Sequence, residues 1–179
     1  EANDAFARSM IVNAGRTRNI EVGHAVVDSD GLVGRIVHAG SSASRVLLLT
    51  DIQSRVPVYI EGAGVEGILV GNTRKDPVIS FTAASDPIEV TAGQRVLTSG
   101  AGGSLPRDLP VGVVKGLAEG DIVVDLYTNY ARTRVVRIMN YEFPEVEEEA
   151  MESGDDVRAF QSRYQHIAGD LTLIVPYQT

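Results

Sequence analysis

Before residue 141 the apolar positions of this chain fall in short runs rich in Val, Ile, Leu and Thr, and helical spacing of apolar residues enters only after Pro144. The runs predict strands at Ser9–Ala14, Ile20–Val22, Ala25–Val27, Leu32–Val37, Arg45–Thr50, Val56–Ile60 and Gly67–Val70. The pattern resumes at Val78–Thr82, Ile88–Val90, Arg95–Thr98, Val111–Leu117, Ile122–Tyr127 and Thr133–Met139. Gly, Pro, Asp and Asn separate them. Asp28-Ser29-Asp30-Gly31 reads as a tight hairpin in which Gly31 supplies a positive φ, and Glu119-Gly120-Asp121 reads the same way. Closely spaced strands joined by turn chemistry predict an all-β fold of small barrels.

The strands divide into two groups. Residues 24–74 are expected to form one small six-stranded barrel, with the polar stretch Asn72–Pro77 as a linker. Residues 5–23 and 75–141 are expected to form a second barrel, so that the first is an insertion within it. After Pro144 the character changes. Ser153-Gly154-Asp155-Asp156 offers a helix N-cap, and Val157, Phe160, Tyr164 and Ile167 follow at helical spacing. Residues 142–179 therefore read as an acidic tail with a helix over 155–168, stopped by Gly169, and a final strand at Leu171–Val175. Two states of the tail compete: the helix docks its apolar face on the body or on a neighbour, or the whole segment is disordered.

Charge sharpens that division. The net charge is −8, and nine acids against two bases beyond residue 141 place −7 of it in the tail. The near-neutral body has no basic excess to neutralise phosphates, which argues against a nucleic-acid partner. There is no cysteine, which excludes disulfides, thiolate metal sites and cysteine nucleophiles, and the histidines (His24, His38, His166) are far apart. No apolar run approaches the ~18 residues of a membrane-spanning helix.

Three motifs suggest chemistry, and each has a plainer reading. Gly62-Ala63-Gly64-Val65-Glu66-Gly67 matches the dinucleotide-binding glycine pattern, but strand residues follow it where a helix is required, so a hairpin is expected. Asp28-x-Asp30-Gly31 begins like a calcium loop and lacks the later ligands. His38, Asp51 and Ser99 or Ser104 occur in the chain order of a two-barrel serine protease, with both serines in a glycine-rich loop. Nothing local orients His38, which reads as a turn histidine.

The stretch Gly23–Val37 (GHAVVDSDGLVGRIV) resembles the opening motif of the rod-shape-determining protein MreC family. Ser44–Asp51, Ser54–Val58 and Gly67–Gly71 continue the resemblance, and Gly93–Val114 is similar to the family's late signature. In this order the blocks cover roughly residues 10–114; similarity weakens over 115–140 and is absent beyond. The motif positions with structural roles are Gly31, Gly34, Arg35, Arg45, Asp51, Pro57, Gly71, Gly100, Gly102, Gly103, Pro106, Pro110 and Gly112. Two positions depart from the family pattern: Gln94 replaces an acid and Leu105 an aromatic.

The resemblance implies a periplasmic double-barrel region, one barrel being protease-like without catalytic residues, and an upstream coiled coil and inner-membrane anchor. It implies a non-catalytic scaffold of the cell-elongation machinery that self-associates as a dimer or filament. The implied partners are MreD, class B penicillin-binding proteins and, indirectly, MreB; no cofactor or metal is implied. The competing reading is a cryptic serine hydrolase on a protease-like barrel. A peptidoglycan-strand binder ranks below both, because aromatics make up only 6% of the chain and tryptophan is absent.

Overall fold

The computed structural model describes residues 8–72, 76–83, 90–103, 105–118, 120–141 and 169–174. The strands are β1 (Ser9–Val12), β2 (Ala25–Val27), β3 (Leu32–Ala39), β4 (Ser44–Leu48), β5 (Arg55–Ile60) and β6 (Val65–Val70). They continue with β7 (Val78–Ala83), β8 (Arg95–Thr98), β9 (Pro110–Ala118), β10 (Asp121–Leu126), β11 (Val135–Asn140) and β12 (Gly169–Ile174). β10, β7, β6, β5, β8 and β9 close into a six-stranded barrel, and the other six form a sheet in the order β1-β4-β3-β2-β11-β12. The all-β expectation holds.

The division into units differs from the one read along the chain. The inserted unit is the barrel over residues 55–126, not residues 24–74, and it interrupts the sheet between β4 and β11. Hairpin spacing cannot reveal this, because β4 and β5 are neighbours in sequence yet enter different sheets. Asn72–Pro77 joins two strands of one barrel, and Ile20–Val22 is loop rather than strand. It follows a 3-10 turn at Arg16–Arg18 capped by Asn19 in the left-handed region, φ 57°. Ile20 is fully buried all the same. Ile88 and the helix expected over 155–168, with Val157, Phe160, Tyr164 and Ile167, lie outside the described residues.

Alternation explains which faces are buried. On β5, Val56, Val58 and Ile60 point inward, and they pack with Val65, Leu69, Ile79, Val96, Val111, Ile122 and Val124. Burying each such side chain contributes roughly 1.5–3 kcal/mol, and closing the barrel leaves no strand edge to pair elsewhere. Adjacent residues of the sheet face opposite ways. Ala25 and Leu32 join the barrel core, while Val26 and Val33 belong to the sheet's own core with Val12, Ile20, Ile36, Val46 and Ile138. The two units thus share one apolar contact along β2 and β3.

The returning segment 127–134 fastens that contact with hydrogen bonds. Thr128 Oγ1 donates to the Leu32 carbonyl at 3.1 Å, and Thr133 Oγ1 donates to Asp28 Oδ2 at 2.9 Å. The Tyr130 hydroxyl donates to the Val33 carbonyl at 3.1 Å and accepts the Leu49 N–H at 3.2 Å. Burial holds its ionisation well above the ordinary tyrosine range, so it stays a neutral donor. Replacing Tyr130 by Phe leaves two buried backbone groups unpaired. It should lower stability by about 1–3 kcal/mol in urea denaturation with the fold intact.

His24 supplies a pH dependence. It is 7% exposed, and its Nδ1 accepts the Glu21 N–H at 3.2 Å. Burial lowers its pKa from 6.5, against a smaller opposing effect of the Glu21 charge. The unfolded chain therefore binds the proton more readily than the folded one. The stabilisation from a neutral His24 is present above about pH 6.5 and is lost as pH falls through the lower folded value. Melting temperature should decline on acidification below pH 6.5, and His24→Gln should flatten that decline.

Candidate interaction surface

The β8–β9 connection is closed at its base by a set of hydrogen bonds. Thr98 cinches its base: its Oγ1 accepts the Leu109 N–H at 2.9 Å and donates to the Pro106 carbonyl at 2.6 Å, while its own N–H reaches the Leu109 carbonyl. Leu105 is 3% exposed and plugs into the barrel core, which is why an aliphatic residue serves at that position. Gln94 caps the preceding turn with its amide oxygen, which accepts the Thr91 N–H at 2.8 Å.

Above that base, three polar side chains hold one another on the surface. The Arg107 guanidinium lies 4.6 Å from the Tyr59 ring centroid and donates to the Ser99 carbonyl at 2.9 Å. The Tyr59 hydroxyl donates to Asp108 Oδ1 at 2.5 Å, and that bond is the main reason its pKa is raised. Asp108 has φ 68°, a left-handed conformation rare outside glycine, fixed here by the Thr98 and Tyr59 contacts. A shallow pocket of about 400 Å³ opens beside them, lined by Tyr59, Ile60, Gly62, Gly64, Glu66 and Arg107. Gly62 and Gly64, at φ 80° and 66°, are the turn of the β5–β6 hairpin, so the glycine pattern is a hairpin as expected. A half-buried tyrosine and an exposed arginine, pre-set in position, are of the side-chain types that most often anchor protein partners.

The structural motif positions cluster around backbone crossings. Gly34, Gly71 and Gly112 are buried where a Cβ would run into the carbonyl oxygens of Leu47, Asp51 and Asp125 respectively. At Gly31 the chain's φ is not positive, contrary to the hairpin expectation. The Asp28 carboxylate makes the turn by accepting the Asp30 and Gly31 N–H groups, and the glycine is needed because a Cβ would meet the Pro110 carbonyl oxygen at 2.5 Å. Pro110 thus opens β9 against the sheet. Pro57 pairs with Ile68, and its carbonyl accepts the Ser99 N–H just beyond the last β5–β8 pair. Gly100, Gly102 and Gly103 all have positive φ in the loop, with Pro106 at its far side. Arg35 and Arg45 sit on β3 and β4, opposite Leu47 and His38.

The residues in protease order are not assembled as a triad. Asp51 is buried at the corner where the chain passes from sheet to barrel. Its two carboxylate oxygens accept the Arg8 N–H at 2.6 Å and the Gln53 N–H at 2.7 Å. Ser99 Oγ accepts the Ala101 N–H at 3.2 Å, His38 is exposed on β3, and Ser104 lies outside the described residues. Among the described residues there is no group of three or more metal-binding side chains, and no helix is long and apolar enough to cross a membrane.

The family model for rod shape-determining protein MreC, barrel core, matches residues 1–140. The chain belongs to the MreC family. It is 44% identical over 140 residues to the cell shape-determining protein MreC of Caulobacter vibrioides, covering 78% of this chain and 40% of that one. It therefore spans under half the length of that relative. The crystal structure of MreC from Pseudomonas aeruginosa superposes with a TM-score of 0.66 at 26% identity, over 75% of this chain and 90% of that one. MreC in a complex with the penicillin-binding protein PBP2 from Helicobacter pylori superposes with a TM-score of 0.52 at 18% identity, over 68% of this chain and 90% of that one. At that identity the likeness is one of fold.

Within this chain, Gly34, Gly71 and Gly112 mark backbone crossings, and the β8–β9 loop sets Arg107 and Asp108 beside Tyr59 of β5. Sequence reading picked out the loop's glycines and prolines but missed this trio. Tyr59 is 48 positions from Arg107 and belongs to no local motif. The one signal available was a charged Arg-Asp pair set between Pro106 and Pro110.

Proposed function

We propose that this chain is the barrel region of a non-catalytic scaffold of bacterial cell elongation, and that it docks a class B penicillin-binding protein through the Tyr59–Arg107–Asp108 surface. The observation that carries the reading is a pre-ordered pair, Tyr59 on β5 and Arg107 on the β8–β9 loop, held by Asp108 and the Ser99 carbonyl. The Helicobacter pylori complex supports a penicillin-binding partner. The family resemblance further supports a periplasmic location, self-association, contact with MreD and an indirect link to MreB, with anchoring by a part of the protein outside this chain.

The hydrolase reading is weaker, because the Asp51 carboxylate is used up on backbone N–H groups and Ser99 Oγ caps its own loop. Cells depleted of the full-length protein and supplied with variants separate the two. Ser99→Ala should restore rod shape, and a fluorophosphonate should leave the chain unlabelled. Arg107→Glu should fail to restore it at normal protein levels. Failure of Ser99→Ala together with serine labelling would establish the hydrolase instead.

A further inference from the structure

We propose that β12 is an exchangeable strand, and that two copies of this chain associate by each lending residues 169–174 to the outer edge of the other's β11. This deepens the self-association reading above and rests on it.

β12 is the edge strand at the end of the sheet opposite β1 and pairs antiparallel with β11 through six residue pairs, from Val135↔Ile174 to Asn140↔Gly169. On its other side β11 holds β2 over three pairs, Arg137 to Met139. Removing β12 leaves the barrel and the five remaining strands with every one of their own pairings. None of the interior strands β4, β3, β2 and β11 can leave without splitting the sheet. The barrel-core family match also ends at residue 140, before β12 begins.

What β12 would uncover is a strand edge of sequence Val-Val-Arg-Ile-Met-Asn, and an open edge of that kind accepts an extended segment. The segment that the structure fits to it is 169–174, and each copy carries one. The ladder formed is the same whether the strand comes from its own chain or from a neighbour, so exchange changes no contact and is set by concentration. Residues 141–168 join β11 to β12 and can span up to roughly 90 Å, enough to reach a second molecule. A tether of that length gives an effective concentration on the order of millimolar, so pairing within one chain dominates in dilute solution. Exchange takes over where copies are crowded. The acids of 142–156 repel their counterparts on a second copy, so salt should favour exchange by screening them.

The absence of native cysteine makes the test direct. Arg137 and Thr172 face each other in the register. The R137C and T172C chains, each whole, are mixed at high concentration, held to equilibrate and oxidised. The expected product is a mixed disulfide dimer about tenfold more abundant than either homodimer, increasing with concentration and with salt. The double variant, R137C with T172C, should close within one chain in dilute solution. A mixed dimer no more abundant than the homodimers, or a double variant that closes no disulfide at any concentration, would overturn the proposal. A second variant keeps it separate from self-association in general. Leu171→Pro removes a ladder N–H from β12 and should abolish the concentration-dependent dimer in sedimentation. If Leu171→Pro dimerises as well as the parent, strand exchange is wrong and association through the body stands. If the parent shows no dimer at any concentration, both readings fail.

Discussion

Gly71→Ala should destabilise the chain by about 3–5 kcal/mol, although it adds one methyl group. The last residue before Gly71 closes β6, and the chain there passes under the corner that leads from the sheet into the barrel. A Cβ would lie against the Asp51 carbonyl oxygen and 2.6 Å from the Leu49 carbonyl oxygen, both backbone atoms that cannot swing aside. Moving them means moving the crossover and with it the contact between the two units. Since a domain of this size holds ~5–15 kcal/mol in total, the variant should be marginally folded or unfolded at 37 °C. Gly62→Ala is the control. Its φ of 80° penalises a side chain, yet nothing lies within 4 Å of the added atom, so it should cost only about 1 kcal/mol. Equal denaturation midpoints for the two variants would show that the crossing at Gly71 is not tight.

Asp51→Ala should cost on the order of 2–4 kcal/mol, because it strips the acceptor from two N–H groups at a buried corner. Asp51→Asn retains one acceptor oxygen and should lose roughly half as much. The comparison bears on function as well as on folding. A carboxylate whose two oxygens hold the Arg8 and Gln53 amides contributes to stability, and its loss should register in urea denaturation. If both variants melted like the parent, the corner assignment would be wrong and Asp51 would be free for another role.

These two residues also show how much of the molecule was legible beforehand. Gly71 and Asp51 both stand out within ordered blocks, and the strands flanking them are legible as short runs rich in Val, Ile and Leu. What they touch was not. The polar stretch after Gly71 looked like a boundary between barrels, whereas the boundary lies at Asp51, because pairing is decided by faces that meet in space. The run Ile20–Val22 predicts a strand, yet Ile20 is buried in a loop, since an apolar residue signals burial without fixing backbone geometry. The Tyr59–Arg107–Asp108 surface depends on a left-handed Asp108 and on two strands brought together by barrel closure, neither of which leaves a periodic trace. Its supporting glycines were visible because a positive φ restricts the residue type.

The central claim is that the pre-ordered loop surface, and not a catalytic group, is what the barrel offers to the elongation machinery. Titrating the whole chain with the soluble ectodomain of the class B penicillin-binding protein from the same cell tests it most directly. The account predicts saturable binding that Arg107→Glu weakens by about 30-fold or more, as loss of an anchor worth ~2 kcal/mol requires. The melting temperature of that variant should stay within a few degrees of the parent, because Arg107 is exposed. Equal affinity for parent and Arg107→Glu, or no binding by a folded parent chain, would contradict it.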